Sequence, residues 1–97
     1  MLITVILPEN DCSAALRRRL EAALEGIPHC FVRWGDPLPS RRLLFAVALD
    51  DCGGNEGYYR ILCRLRGNPR LLDGCIAALV VTGRGELYTK SIAFEDI

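Results

Sequence analysis

The sequence carries no excess charge of either sign: 12 basic side chains are balanced by 12 acidic ones over 97 residues. Nothing in that balance steers the chain toward the phosphates of a nucleic acid or an anionic bilayer, so those partner classes are set aside and a small-molecule ligand is expected instead. A C-x-x-C pair is also missing. The cysteines, Cys12, Cys30, Cys52, Cys63 and Cys75, are odd in number and widely spaced. They are poor material for a disulfide framework or a zinc site and read as reduced, mostly buried thiols. The single histidine, His29, opens an apolar stretch without a carboxylate neighbour in the sequence, and no catalytic acid or base is assigned from it.

No apolar run approaches the ~20 residues that span a bilayer. The opening "LITVIL" lacks a basic flank and meets Pro8 after six residues, unlike a signal peptide, so a cytoplasmic location and no membrane partner are expected. No internal repeat, low-complexity tract or linker interrupts the chain. With 51% hydrophobic residues, residues 1–97 read as one domain around one core.

Within that domain, Leu2–Leu7 is a continuous β-branched and aliphatic run, the pattern of a strand covered on both faces. In "PENDCSAALRRRLEAALEG", Asn10 or Asp11 can cap a helix whose Leu16, Leu20, Ala23 and Leu24 share a face, and Gly26 can stop it. "HCFVRW" from His29 reads as a short second strand, "GDPLPSRR" as a connector, and "LLFAVALD" from Leu43 as a third, fully apolar strand. A glycine-rich loop, "DDCGGNEG", leads into a helix over about Glu56–Arg66 with Tyr58, Ile61, Leu62 and Leu65 on one face, ended by Gly67, Asn68 and Pro69. "CIAALVVTG" from Cys75 is the fourth strand, and a last helix is expected from about Glu86.

Alternating strands and helices predict a mainly parallel, three-layer α/β sandwich with strand order 2-1-3-4. The connector between strands two and three must then cross two strand spacings and return along a strand, a diagonal of roughly 20–22 Å. Eight extended residues reach ~26 Å, so a crossover without a helix is feasible. The competing topology is an antiparallel pairing of strands two and three through a long hairpin.

Open α/β sheets bind ligands beyond the carboxyl ends of their strands, which marks three loops: Pro8–Ser13, Asp50–Tyr58 and Thr82–Tyr88. The segments "FAVALDDCGGNEGYYRILCRLR" and "LDGCIAALVVTGRGELYTKSIA" resemble the middle of flavodoxin-like proteins of the NAD(P)H-dependent oxidoreductase and FMN reductase group. That resemblance implies a flavodoxin-like fold and an FMN site. Asn10 and Ser13 would meet the phosphate, with Gly53, Asn55 and Tyr58 on the third-strand loop and Gly83, Gly85 and Tyr88 on the fourth. It also implies the rest of the last helix, a fifth strand and a final helix, for which no segment is expected after "SIA" in this sequence.

The first loop argues for weak or absent FMN binding. Pro8 offers no N–H, Ser13 is nearly the only hydroxyl, and Glu9 and Asp11 would face a dianion at a cost on the order of 3 kcal/mol for like charges ~5 Å apart. A second class fits some of the same residues. Glu9, Asp11, Asp50 or Asp51, and Thr82 resemble the acidic cluster and hydroxyl of response-regulator receiver domains, which hold Mg²⁺, although the receiver lysine has no counterpart here. A non-enzymatic interaction module is the third class. The C-x₅-R spacing of Cys12 and Arg18 matches a phosphatase loop, yet "SAALR" has no glycine for a phosphate cradle and favours helix. Finally, a chain whose fourth strand is not covered by a fifth would expose an apolar edge, so a homodimer or higher homo-oligomer is expected through that strand or the adjoining C-terminal helix.

Overall fold

The computed structural model describes residues 2–50, 53–83 and 86–91. The elements run β1 (Ile3–Ile6), α1 (Ser13–Ala23), β2 (His29–Val32), β3 (Arg42–Ala48), α2 (Glu56–Gly67), β4 (Ile76–Gly83) and β5 (Glu86–Ser91). They build one sheet in the order β2-β1-β3-β4-β5. The first four strands are parallel, in the expected flavodoxin-like order 2-1-3-4. The hairpin alternative fails because β2 and β3 both pair with β1 in parallel.

Strand alternation sorts the apolar side chains between two helices. Val5, Ala46 and Ala48 meet Leu16, Leu20 and Leu24 of the α1 segment. Ile6, Leu43 and Phe45, at the alternate strand positions, point the other way, onto Ile61 and Leu65 of α2. The sheet is therefore sandwiched between α1 on one face and α2 on the other. The direction of travel reverses between β1→β2 and β2→β3, and the face of the connection reverses with it, so every crossover has one hand, as parallel connections require.

The β2–β3 crossover, residues 33–41, contains no helix. Its Trp34 and Leu38 pack against the α2-side core, and the Trp34 ring lies 6.1 Å from Phe45, tilted by 50°. Two aromatic and aliphatic side chains thus fill the place a helix would take. The far end is clasped to the buried Thr4 on β1: the Thr4 and Ser40 hydroxyls are 2.7 Å apart, and the Ser40 N–H donates to Thr4 Oγ1 at 3.2 Å.

The helices follow their apolar spacing, with one correction at the start of α1. The N-cap is Cys12, whose side chain makes no capping bond. The expected cap Asn10 acts two residues earlier, where its Oδ1 accepts from the Cys12 N–H at 2.9 Å and forms a turn leading into the helix. In α2, Asn55 is a true N-cap, accepting from the Tyr58 N–H at 3.0 Å. Glu56 in the first turn and Arg64 and Arg66 in the last complement the helix dipole.

Further expectations need correcting. Glu86–Ser91 is a strand antiparallel to β4, with Gly83 opposite Glu86 and Ala78 opposite Ser91, where a helix was expected. A fifth strand is therefore present, though as a hairpin return rather than a parallel strand reached through a helix. The unpaired edge of β4 offered hydrogen bonds that a helix at Glu86 could not have met, and the chain satisfies them with its own next segment. β4 is consequently interior, hydrogen-bonded to β3 and β5, and the expected self-association through its free edge loses its basis. The C-terminal end expected to complete a helix, residues 92–97, lies outside the described residues. The thiols are also less buried than expected: Cys12 and Cys63 are exposed and Cys30 and Cys75 half-buried, while Cys52 lies outside the described residues. Among the described residues, no helix is long and apolar enough to cross a membrane.

Candidate functional site

The carboxyl ends of β1 and β3 bring their loops together, and the fastening point is one carbonyl. Ala48 ends β3, and its oxygen accepts Nδ2 of Asn10 from the first loop at 2.6 Å and Nδ2 of Asn55 from the second at 3.0 Å. The Asn55 amide also donates to the Pro8 carbonyl at 3.3 Å. With its Oδ1 capping α2, Asn55 has both side-chain polar atoms engaged, as its 2% exposure demands. The end of β4 is tied to the same place, where the Leu49 N–H donates to the Thr82 carbonyl at 2.7 Å.

The loops after β1 and β3 also close on themselves. The Asn10 N–H donates to Ser13 Oγ at 3.1 Å, and that hydroxyl donates to the Asn10 carbonyl at 2.9 Å. In the second loop the Asp50 N–H donates to the Gly54 carbonyl, the Gly53 N–H to the Asp50 carbonyl, and the Gly54 N–H to Asp50 Oδ1, all at 2.8–2.9 Å. Gly53 supplies the positive φ of +80° that this ring needs.

The proposed flavin contacts can now be placed. Asn10, Ser13, Gly53 and Asn55 lie together at this end of the sheet, but their polar atoms build the loops. Tyr58 is half-buried in the first turns of α2, and burial raises its phenol pKa above the usual 10.0. Gly83 stands against Leu49, where an added Cβ would lie 3.3 Å from the leucine Cδ1, so its smallness serves packing. Tyr88 is placed only as the β5 partner of Val81, and Gly85 lies outside the described residues.

These observations do not fit a flavin phosphate. The one hydroxyl, Ser13, is committed to Asn10 and buried, the N–H groups of Asn10, Cys12 and Ser13 are engaged within the loop, and Glu9 and Asp11 stand exposed beside them. The receiver-like set fares no better. Asp50 spends Oδ1 on Gly54, Asp51 lies outside the described residues, and among the described residues no group of three or more His, Cys, Asp or Glu is arranged to hold a metal.

The open space lies next door, over the ends of β1 and β2. A cleft of about 710 Å³ is walled by Leu7 after β1 and by Phe31 and Trp34 at the end of β2, with Glu9, Arg33 and Asp36 also lining it. Pro8 and Glu9 of the first loop border this cleft, but Asn10, Ser13, Gly53, Asn55, Tyr58 and Gly83 do not. Arg17 of α1 closes one side, stacked 4.3 Å from the Phe31 ring centroid and ion-paired to Glu21 at 3.3 Å. The sequence signal was "RWGD", an aromatic between two opposite charges with a glycine to turn on, directly after a strand. It was divided between the second strand, which was expected to include Arg33 and Trp34 but ends at Val32, and the connector.

Comparison with protein-family models, with curated proteins and with solved structures finds no match to this chain. The functional conclusion therefore rests on the residues and their geometry.

Proposed function

We propose that this chain is a flavodoxin-like domain related to NAD(P)H-dependent FMN reductases in which flavin binding has been weakened or lost, leaving a domain that binds small molecules without redox chemistry of its own. The carrying observation is the Asn10–Ala48–Asn55 junction. It gathers the loops after β1 and β3 at the carboxyl end of a parallel sheet, where such folds bind ligands, yet consumes the groups a phosphate would need. Self-association is no part of this proposal, since its ground was an unpaired β4.

Titration of FMN with the purified chain, followed by quenching of flavin fluorescence, tests the proposal. The expected result is colourless protein and no saturable quenching below about 100 µM, equivalent to less than ~5.5 kcal/mol of binding. Stoichiometric binding in the micromolar range or tighter would show that the loop polar groups are released for cofactor and would restore an oxidoreductase.

A further inference from the structure

We propose that the cleft over β1 and β2 is a binding site for a small zwitterion with an aromatic body, an aromatic α-amino acid being the simplest member of that class. The cleft adjoins the loop junction at Pro8, which lines it and whose carbonyl accepts from Asn55, but its charged and aromatic lining lies outside that junction.

The cleft combines an apolar wall with charges of both signs that do not neutralise one another. Arg33 and Asp36 stand at the two ends of a turn closed by the Asp36 N–H donating to the Arg33 carbonyl at 3.1 Å, with Gly35 at φ +101°. A turn of this kind holds its end Cα atoms within about 7 Å. Even so, the ion pairs found among the described residues are Arg17–Glu21 and Arg60–Glu56, and neither involves Glu9, Arg33 or Asp36. A guanidinium and a carboxylate therefore face one space without meeting. A ligand carrying one charge would satisfy one of them and be repelled by the other; a ligand carrying both, side by side on one carbon, answers both. The turn carries Trp34 between the two charges, and Phe31 and Leu7 extend the apolar wall, which suits an aromatic side chain by offset or edge contact. The volume falls within the range of small-molecule sites.

Trp34 is the chain's one tryptophan, so the site carries its own reporter. The test is L-phenylalanine added to the whole chain at physiological salt, followed by Trp34 emission and by calorimetry. The expected result is a saturable change with a Kd of about 1 mM, as befits an open site. Phenylpropanoate and phenethylamine, which each keep one of the two charges, should bind at least ~5-fold more weakly, the scale of one exposed ion pair. Arg33 and Asp36 are exposed, so Arg33→Gln and Asp36→Asn should keep the melting temperature while each weakens binding by about 3- to 5-fold. Trp34 and Asp36 also border a smaller cavity of about 200 Å³ that is lined by Arg64 and not by Arg33, and Arg64→Gln should leave binding unchanged. The proposal is overturned by no saturable change up to about 10 mM, by equal affinity for the three probes, by indifference to Arg33→Gln or Asp36→Asn, or by weakening in Arg64→Gln.

Discussion

Asn55→Ala is the substitution that probes the junction most directly. It removes three hydrogen bonds from a side chain that is 2% exposed. The first is the cap on the Tyr58 N–H at 3.0 Å, and losing an Asn cap costs about 1 kcal/mol, with a range of 0.5–2. The others are the donations to Ala48 at 3.0 Å and Pro8 at 3.3 Å, each worth roughly 0.5–1.5 kcal/mol net, the longer one at the low end. Ala48 retains the Asn10 donor, so its carbonyl is not orphaned. The sum is about 2–4 kcal/mol, or a fall in melting temperature on the order of 10–25 °C for a domain of this size. Urea unfolding followed by circular dichroism gives the free energy, and a thermal melt checks it. Asn55→Asp separates the contributions: an aspartate caps as well as asparagine, but it offers no donor and turns a carboxylate toward two carbonyl oxygens. It should therefore remain at least about 1 kcal/mol below the wild type. A loss under about 0.5 kcal/mol in Asn55→Ala, or wild-type stability in Asn55→Asp, would refute the junction as a structural fastening.

Two further outcomes follow. Thr4→Val keeps the shape of a fully buried side chain but strips the partner from Ser40, and should lower stability by about 1–2 kcal/mol; an unchanged urea midpoint at constant slope would mean the crossover is held by Trp34 and Leu38 alone. Burial raises the Tyr58 pKa above 10.0, so the folded state holds the phenol proton more tightly than the unfolded state. That contribution is complete below pH 10 and is lost as pH rises from about 10 toward the raised folded value; melting curves of wild type and Tyr58→Phe should diverge there, the wild type falling faster, and parallel curves would contradict the burial.

The parallel core was legible because its strands are buried on both faces. "ITVI" and "LLFAVA" carry no charge and, Thr4 apart, no polar side chain to suggest a solvated side, and the Leu16, Leu20, Leu24 spacing fixes where α1 lies. The helix-free crossover was legible too, from chain length against strand spacing. Its register was not, since the clasp is a hydroxyl pair between Thr4 and Ser40 that no periodicity announces. β5 was misread because "ELYTKS" mixes helix formers with β formers, and its state is decided by the β4 edge, a tertiary fact. At the junction the loops after β1 and β3 lie together as expected, whereas the expected third loop, Thr82–Tyr88, is largely strand, and Asn10, Ser13 and Asn55 were read as ligand contacts. Their amide and hydroxyl chemistry serves a phosphate and a neighbouring carbonyl equally, and only the Ala48 oxygen at 2.6 and 3.0 Å distinguishes the two. The cleft was missed because its charges belong to a segment with no secondary structure to recommend it.

The helix-free crossover sets an order of opening within the molecule. β2 has four residues and, at the end of the sheet, exchanges ladder hydrogen bonds with β1, and the segment after it has no helical bonds to add. Such a part opens at lower free energy than β1 and β3, whose amides are shared on both sides. The cleft is built on that part, from Phe31 to Asp36. Whatever occupies it would be welding the loosest corner of the sandwich, so occupancy and the integrity of the β2 edge would rise and fall together.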